Sequence, residues 1–364
     1  NTNINVRGNI AGLPDANKVS GNLVINNIST SRKDIQLLMP KGTLPANITL
    51  PETMKLTGSI AGNMNAAKAN LNLATNLGGA SVNGSISNPT DKKRAKYDGT
   101  ITARQLDLGV IMQNDSMYGP LTASVTASGT GFDPKTMNAR LNGTVTSAVY
   151  NKYNYKNLNF TGEMIAQKGK LKMDIKDPNI TIALDADADL SGKFPAIKLN
   201  TTIDTVNVTA LHFTSDTLTY KGNITADFPN TDPADLTGNL FIAGSRIIMG
   251  SQHYSLDTIS LRSGKSDTGE FLVLNSQGIN AALTGKYNLA QLGSVFQQTI
   301  QPYYALDSIG NKDTLDDYNF NFTAQITKSP LFTVFLPSLN RMDPIKMNAH
   351  FATDEGFNAV VDAP

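Results

Sequence analysis

One pattern constrains this chain more than any other: apolar and polar residues alternate, run after run, along most of its length. Leu171-Lys172-Met173-Asp174-Ile175-Lys176, Ile180-Thr181-Ile182-Ala183-Leu184-Asp185, Ile279 through Tyr287 and Ile345 through Phe351 show it most clearly. Successive side chains of a strand point to opposite faces, so a period of two describes a sheet with one apolar and one wet face. Repeated over 364 residues, it creates a very large apolar surface. The functional question is what that surface is for.

The polarity comes mostly from Thr, Asn, Ser and Gly, since only 17% of residues are charged; this is the composition of an all-β chain rich in turns. Net charge is +1. The densest basic cluster, Lys92-Lys93-Arg94, reads as a solvated turn, and nothing supports nucleic-acid binding, which needs a concentrated positive field. The chain has no Cys, so disulfides and thiolate metal sites are excluded. No apolar run reaches the roughly 18 residues that span a bilayer. The chain lacks an initiating Met and stops at Asp362-Ala363-Pro364, and is read as a segment excised from something longer.

Turn signals recur throughout, among them Ser20-Gly21, Gly78-Gly79, Asp98-Gly99, Lys168-Gly169 and Lys221-Gly222. Gly58, Gly84, Gly143 and Gly285 instead lie inside alternating runs on the apolar side, where glycine marks a bulge or a tight bend. Counting runs predicts roughly 25 strands of about 5 to 8 residues. A recurring Leu/Tyr-x-Gly start, as in Leu56-Thr57-Gly58 and Tyr97-Asp98-Gly99, has irregular spacing, so this is a stacked array of strands and not a fixed-period solenoid. Helical signals are few. Asn288 is placed as the N-cap of a helix carrying Leu289, Leu292, Phe296 and Ile300. Ser329-Pro330 opens a second helix with Leu331, Val334 and Phe335, and Leu106 through Met112 reads as a helical turn. Weak boundaries fall at His212 to Asp216 and in the polar stretch Asp307 to Asp317, which reads as a mobile loop. They divide the chain into 1–213, 214–306 and 318–364, read as sections of one continuous elongated body.

No constellation for catalysis stands out. Asp185, Asp187 and Asp189 share one strand face, but an EF-hand would need Gly and Glu where Leu190 and Ala196 stand, so they read as a solvated face. His212, His253 and His350 are scattered singly, outside metal-ligand spacing; His350 is placed facing solvent. Gly129-Thr130-Gly131 lacks the third Gly and the helix of a dinucleotide loop. The expectation is a protein that is not an enzyme and needs no cofactor or metal.

The stretch from Tyr97 to about Phe213 resembles the AsmA-like/TamB (translocation and assembly module) family of diderm bacteria. The likeness rests on Leu106-Asp107-Leu108-Gly109, Thr126 through Pro134, Leu141-Asn142-Gly143-Thr144-Val145, Tyr153 through Leu158, Asp177-Pro178-Asn179 and Asn207 through Leu211. The section from Tyr254 to Tyr304 looks like a further repeat of the same type. The resemblance implies a strongly curved antiparallel sheet forming a U-shaped trough with a hydrophobic interior and a few short helices. It also implies a periplasmic location, an inner-membrane anchor in the full-length protein, a role in phospholipid transport between the membranes, and an outer-membrane β-barrel as a partner. It brings no catalytic residues.

From the residues themselves, a one-sided apolar sheet must bury that face against another layer or against a ligand. The candidate lining of a lipid groove is the apolar parity of each run: Leu121, Val125, Leu141, Val145, Leu171, Met173, Ile175, Ile180, Ile182, Leu184, Ile197, Leu199, Ile279 and Leu283. Phospholipid acyl chains are the expected ligand. The bland alternative is a dry sandwich core built from the same residues, which alternation cannot separate from a groove. Two other functions compete: a chaperone-like template that offers unpaired sheet edges to outer-membrane strands, and a surface adhesin or carbohydrate-binding β-protein, disfavoured by the absence of Trp.

Overall fold

A computed structural model describes residues 2–40, 42–267, 269–300, 314–330, 332 and 341–363. The protein is all-β: strands take 62% of it and helices 7%, so its packing is decided by sheet faces. Twenty-one strands are present among the described residues, and every strand pair described below is antiparallel. They are fewer and longer than the runs suggested, up to 13 residues. Several glycine signals read as hairpin turns lie within strands, and the real turns use other residues. Asn151-Lys152 and Ala166-Gln167 turn two hairpins with φ of 49° and 62°, and of 49° and 65°. Two successive left-handed residues give the twist that paired strands need, here without glycine.

The chain forms two compact units, Asn1–Asp185 with Asn207–Ser215, and Ala186–Val206 with Asp216–Pro364. The first contains ten consecutive strands: β1 (Asn3–Ala11), β2 (Ser20–Ser31), β3 (Thr53–Asn63), β4 (Ala66–Thr75), β5 (Gly78–Ser87), β6 (Lys96–Asp107), β7 (Tyr118–Thr130), β8 (Asn138–Tyr150), β9 (Tyr153–Ile165) and β10 (Lys168–Asp177). Each pairs with the next as a simple meander. Two short helices lie at strand ends. Helix α1 (Arg32–Leu38), absent from the sequence expectations, is N-capped by Ser31, whose Oγ accepts from the Asp34 N–H at 3.2 Å. It buries none of its residues. Helix α2 (Leu108–Ile111) is capped by Asp107 and falls within the turn expected from Leu106 to Met112.

Where β9 begins and β10 ends, a polar knot ties the two strands to the turn that follows β10. Asp177 is only 3% exposed. Its carboxylate accepts from the Tyr153 hydroxyl, from the Lys156 N–H at 3.0 Å and from the Asn179 N–H at 2.9 Å. Burial raises the Tyr153 phenol above its ordinary value, and the bond to Asp177 adds to the shift.

The second unit's strands include β13 (Thr219–Asn230), β14 (Thr237–Met249), β16 (Ile259–Ser266), β17 (Gly269–Asn275), β18 (Ile279–Lys286), β19 (Asn319–Ile326), β20 (Ile345–Ala352) and β21 (Gly356–Asp362). Strand β14 pairs with β13 and serves two further partners, β16 along one half and the short β15 (Gln252–Ser255) along the other. Helix α3 (Leu292–Ile300) starts later than expected. Asn288 instead closes a turn, its Oδ1 accepting from the Ala290 N–H at 3.0 Å. The helix lays Val295 and Phe296 on Leu283, Phe320, Phe322 and Phe351. Phe296 meets Phe351 edge to face, centroids 5.0 Å apart. Part of the polar stretch Asp307 to Asp317, and the helical residues expected at Leu331, Val334 and Phe335, lie outside the described residues.

Candidate functional site: an uncovered apolar sheet face

Residues directly opposite on neighbouring strands share a face. Following the register through the first unit therefore shows where every apolar side chain goes. One row runs Val6, Ile25, Gly58, Leu71, Val82, Ile101, Val125, Gly143, Phe160, Met173 across all ten strands. The row on one side runs from Ile4 and Ile28 through Ala103 and Val145 to Leu158 and Ile175. On the other side a row runs from Gly8 and Leu23 through Gly84, Gly99 and Leu141 to Leu171, and beyond it another from Ile10 to Gly169. These four rows contain no charged side chain. At ~4.8 Å per strand they extend about 43 Å across the sheet.

The opposite face is as consistently polar. Thr100 and Thr126 bond across strands at 2.8 Å, Thr102 and Ser124 at 3.3 Å, and the Thr144 hydroxyl donates to Asn159 at 3.0 Å. Arg140 pairs with Glu163 at 3.4 Å and Lys172 with Asp185 at 3.0 Å. This side is solvated, and the paired charges are of the exposed kind that contributes little to stability.

The apolar face is not sealed. Ile101, at the middle of its row, is 59% exposed, and Ile60, Val82, Leu141 and Leu171 are also exposed. A dry core would hold such side chains almost wholly out of water. The second unit is different. Its apolar parity includes Leu272, Leu283, Phe322 and Ala349, opposite one another on four strands, and α3 closes over it, leaving Leu283 5% exposed.

Of the residues proposed from sequence, Leu121, Val125, Leu141, Val145, Leu171, Met173 and Ile175 stand together on the uncovered face of β7, β8 and β10. On β11 (Ile180–Asp189), Asp185 reaches Lys172 on the wet side, which puts Ile180, Ile182 and Leu184 on the apolar parity; Ile180 is buried. In the second unit, Lys198 of β12 (Ala196–Asn207) pairs with Asp227 at 3.5 Å, leaving Ile197 and Leu199 on the other parity. Ile279 and Leu283 lie on β18, Leu283 beneath the helix. Residues of β1 to β6 and β9 were missed, notably Leu71, Val82, Ile101 and Phe160. Their signal was the same alternation, as in Gly99-Thr100-Ile101-Thr102-Ala103.

Glycines let neighbouring backbones approach closely at particular points of the face. Gly58, with φ of 135°, brings its Cα against the Asn70 carbonyl so closely that a Cβ would overlap it. Gly84 and Gly99 meet as a cross-strand pair, where an added Cβ on Gly84 would stand 2.7 Å from the Gly99 Cα. Gly58 does mark a bulge, since the β2–β3 register shifts between its partner Ile25 and Ile28, whereas at Gly84 the β5–β6 register runs unbroken and close approach of backbones explains the glycine.

His350 stands on the wet side of β20, its Nδ1 3.0 Å from Asn321 Oδ1. His212 Nδ1 lies 3.0 Å from the Asn151 carbonyl. In comparisons with known proteins, no family model matches the chain, and neither a curated protein nor a solved structure does.

Proposed function

We propose that the uncovered face of the first unit binds phospholipid acyl chains, and that the protein acts by carrying lipid and not by catalysis. The observation that supports this is the set of four uncharged rows, ten strands wide, on which Ile60, Val82, Ile101, Leu141 and Leu171 stay exposed to solvent, although Ile25 near one edge is buried. Soluble chains rarely leave so broad an apolar surface without a ligand or partner for it. An acyl chain laid on it gains about 0.8 kcal/mol per buried CH₂. No charged group on the rows would anchor a headgroup, so little opposes movement along them. The resemblance to AsmA-like/TamB proteins adds the rest of the proposal: a periplasmic setting and passage of phospholipid between inner and outer membranes.

The test is native mass spectrometry with lipid extraction on the purified chain. Ile101→Asp puts a charge in the middle of the face at a side chain already exposed, so the fold should tolerate it. Thr100→Asp puts the same charge on the wet side. Phospholipid that copurifies with the wild type and with Thr100→Asp, but not with Ile101→Asp, is the expected result. Equal capture by both variants, or none by the wild type, would sink the reading.

A further inference from the structure

The basic cluster Lys92-Lys93-Arg94 forms an exposed turn between β5 and β6. The loop between β7 and β8 is pinned to it. The Gly131 N–H donates to the Ala95 carbonyl at 2.7 Å, and the Phe132 N–H to the Lys92 carbonyl at 2.8 Å. With the first residue of β6, the two loops carry Lys92, Lys93, Arg94, Lys96 and Lys135 against Asp91 and Asp133. Five cations thus face two carboxylates at one place, in a chain whose net charge is +1.

Both carboxylates are occupied in building the loops. Asp91 accepts the Lys93 and Arg94 N–H groups at 3.0 Å and pairs with the Arg94 guanidinium at 2.6 Å. Asp133 accepts the Lys135 N–H at 3.0 Å. Lys92, Lys93 and Lys135 are exposed, and their ammonium groups have no ion pair within 4.0 Å among the described residues. At the opposite ends of β6 and β7 the sign is reversed: their connection holds Asp107 and Asp115 and no cation.

Beside these lysines Phe132 is 46% exposed, yet its ring is held in place. It stacks on Tyr97, with centroids 5.1 Å apart and planes 7° apart. Tyr97 lies opposite Ile86 on one side and Gly129 on the other, in the apolar row that runs from Ile10 to Gly169. Phe132 therefore carries the uncovered apolar face past the strand ends and into the basic loops.

We propose that this rim docks the protein on the surface of a bilayer containing anionic phospholipid, with Lys92, Lys93 and Lys135 among the headgroups and Phe132 in the interface. Aromatic rings settle at headgroup level, and each lysine near an anionic surface adds an attraction that salt screens. A bilayer meets both chemistries at once, whereas an acidic polymer would satisfy the lysines and leave Phe132 in water. The inference goes beyond acyl-chain binding by the face, because docking through the rim does not require it.

The test is flotation of the whole chain with vesicles of phosphatidylcholine alone and of equimolar phosphatidylcholine and phosphatidylglycerol, at low and high salt. Binding to the mixed vesicles at low salt, weakened by salt and slight on phosphatidylcholine alone, is expected. Lys92→Glu with Lys93→Glu should lower the partition coefficient by about tenfold or more, and Phe132→Ser severalfold. Lys55→Glu, at an exposed site on β3 near the opposite strand ends, should leave it unchanged. Ile101→Asp should lose copurified lipid and still float, so failure here and failure of the acyl-chain reading are told apart. Equal flotation on neutral vesicles, no flotation at all, or flotation that neither rim variant diminishes overturns the proposal. Binding of polyuridylate without flotation assigns the lysines to another partner and overturns it as well. Melting curves of the rim variants separate loss of docking from loss of fold, and Lys92→Gln with Lys93→Gln repeats the test without charge reversal.

Discussion

Gly143 on β8 lies directly opposite Phe160 on β9, and the phenyl ring fills the space that a side chain at 143 would need. A large ring and an absent one make a complementary pair, and together they leave the face level where two strands meet. Gly143→Ala would drive its methyl into the ring. The expected cost is about 1–3 kcal/mol, read by urea denaturation. Adding Phe160→Leu should restore part of it, because the two changes act on one contact.

Asp177 satisfies three donors from a buried position, so its loss leaves all three without their acceptor. Asp177→Ala should lower stability by roughly 2–4 kcal/mol. Tyr153→Phe, which removes only one of the three bonds, should cost less. Hydrogen exchange of the Lys156 and Asn179 amides provides the local readout: both should accelerate in Asp177→Ala and remain protected in Tyr153→Phe.

Thr201 presents the opposite case. It is buried on the apolar parity of β12, and its hydroxyl has no partner among the described residues. Thr201→Val keeps the shape and removes the unsatisfied group, so it should be neutral or stabilising by about 1 kcal/mol. A thermal melt that falls by several degrees would contradict this.

Phe296 is the aromatic anchor by which α3 covers the second unit's sheet, touching the rings of Phe320, Phe322 and Phe351. Phe296→Ala should cost about 2–3 kcal/mol and expose Leu283. Increased binding of an apolar dye, with the first unit's amide protection unchanged, is the expected signature.

Glu270 gives the chain a pH dependence of definite sign. Burial raises its carboxyl in the folded state above the unfolded value. The folded chain therefore holds this proton more tightly, and its contribution to stability is lost as pH rises through the folded value. Glu270→Gln removes the ionisable group. The melting temperature of the variant should exceed that of the wild type at neutral pH, and the difference should shrink as pH is lowered toward about 4.

Much of this was written in the order of residues. A period of two assigns Leu171, Met173 and Ile175 to one face and Lys172, Asp174 and Lys176 to the other, whatever the strand pairs with, and the register bears that out on β10. Helices were less legible. In α1, Ser31 and Asp34 form a cap, but exposed Leu37 and Leu38 give no stripe to recognise. In α3 the attractive cap at Asn288 belongs to a turn ahead of the helix. Turns were missed where Lys152, Ala166 and Gln167 take a left-handed conformation usually left to glycine or asparagine.

The sequence by itself determined that the chain would be strands with one greasy and one wet side, because side-chain direction in a strand depends only on position parity. Whether a greasy side is covered depends on what arrives from elsewhere in the chain. Ile101 and Leu283 belong to indistinguishable alternating runs, yet one stands 59% exposed and the other 5%. Only the tertiary structure could decide between them, since burial is set by contacts such as those of Val295 and Phe296 above Leu283, and no local pattern encodes those contacts.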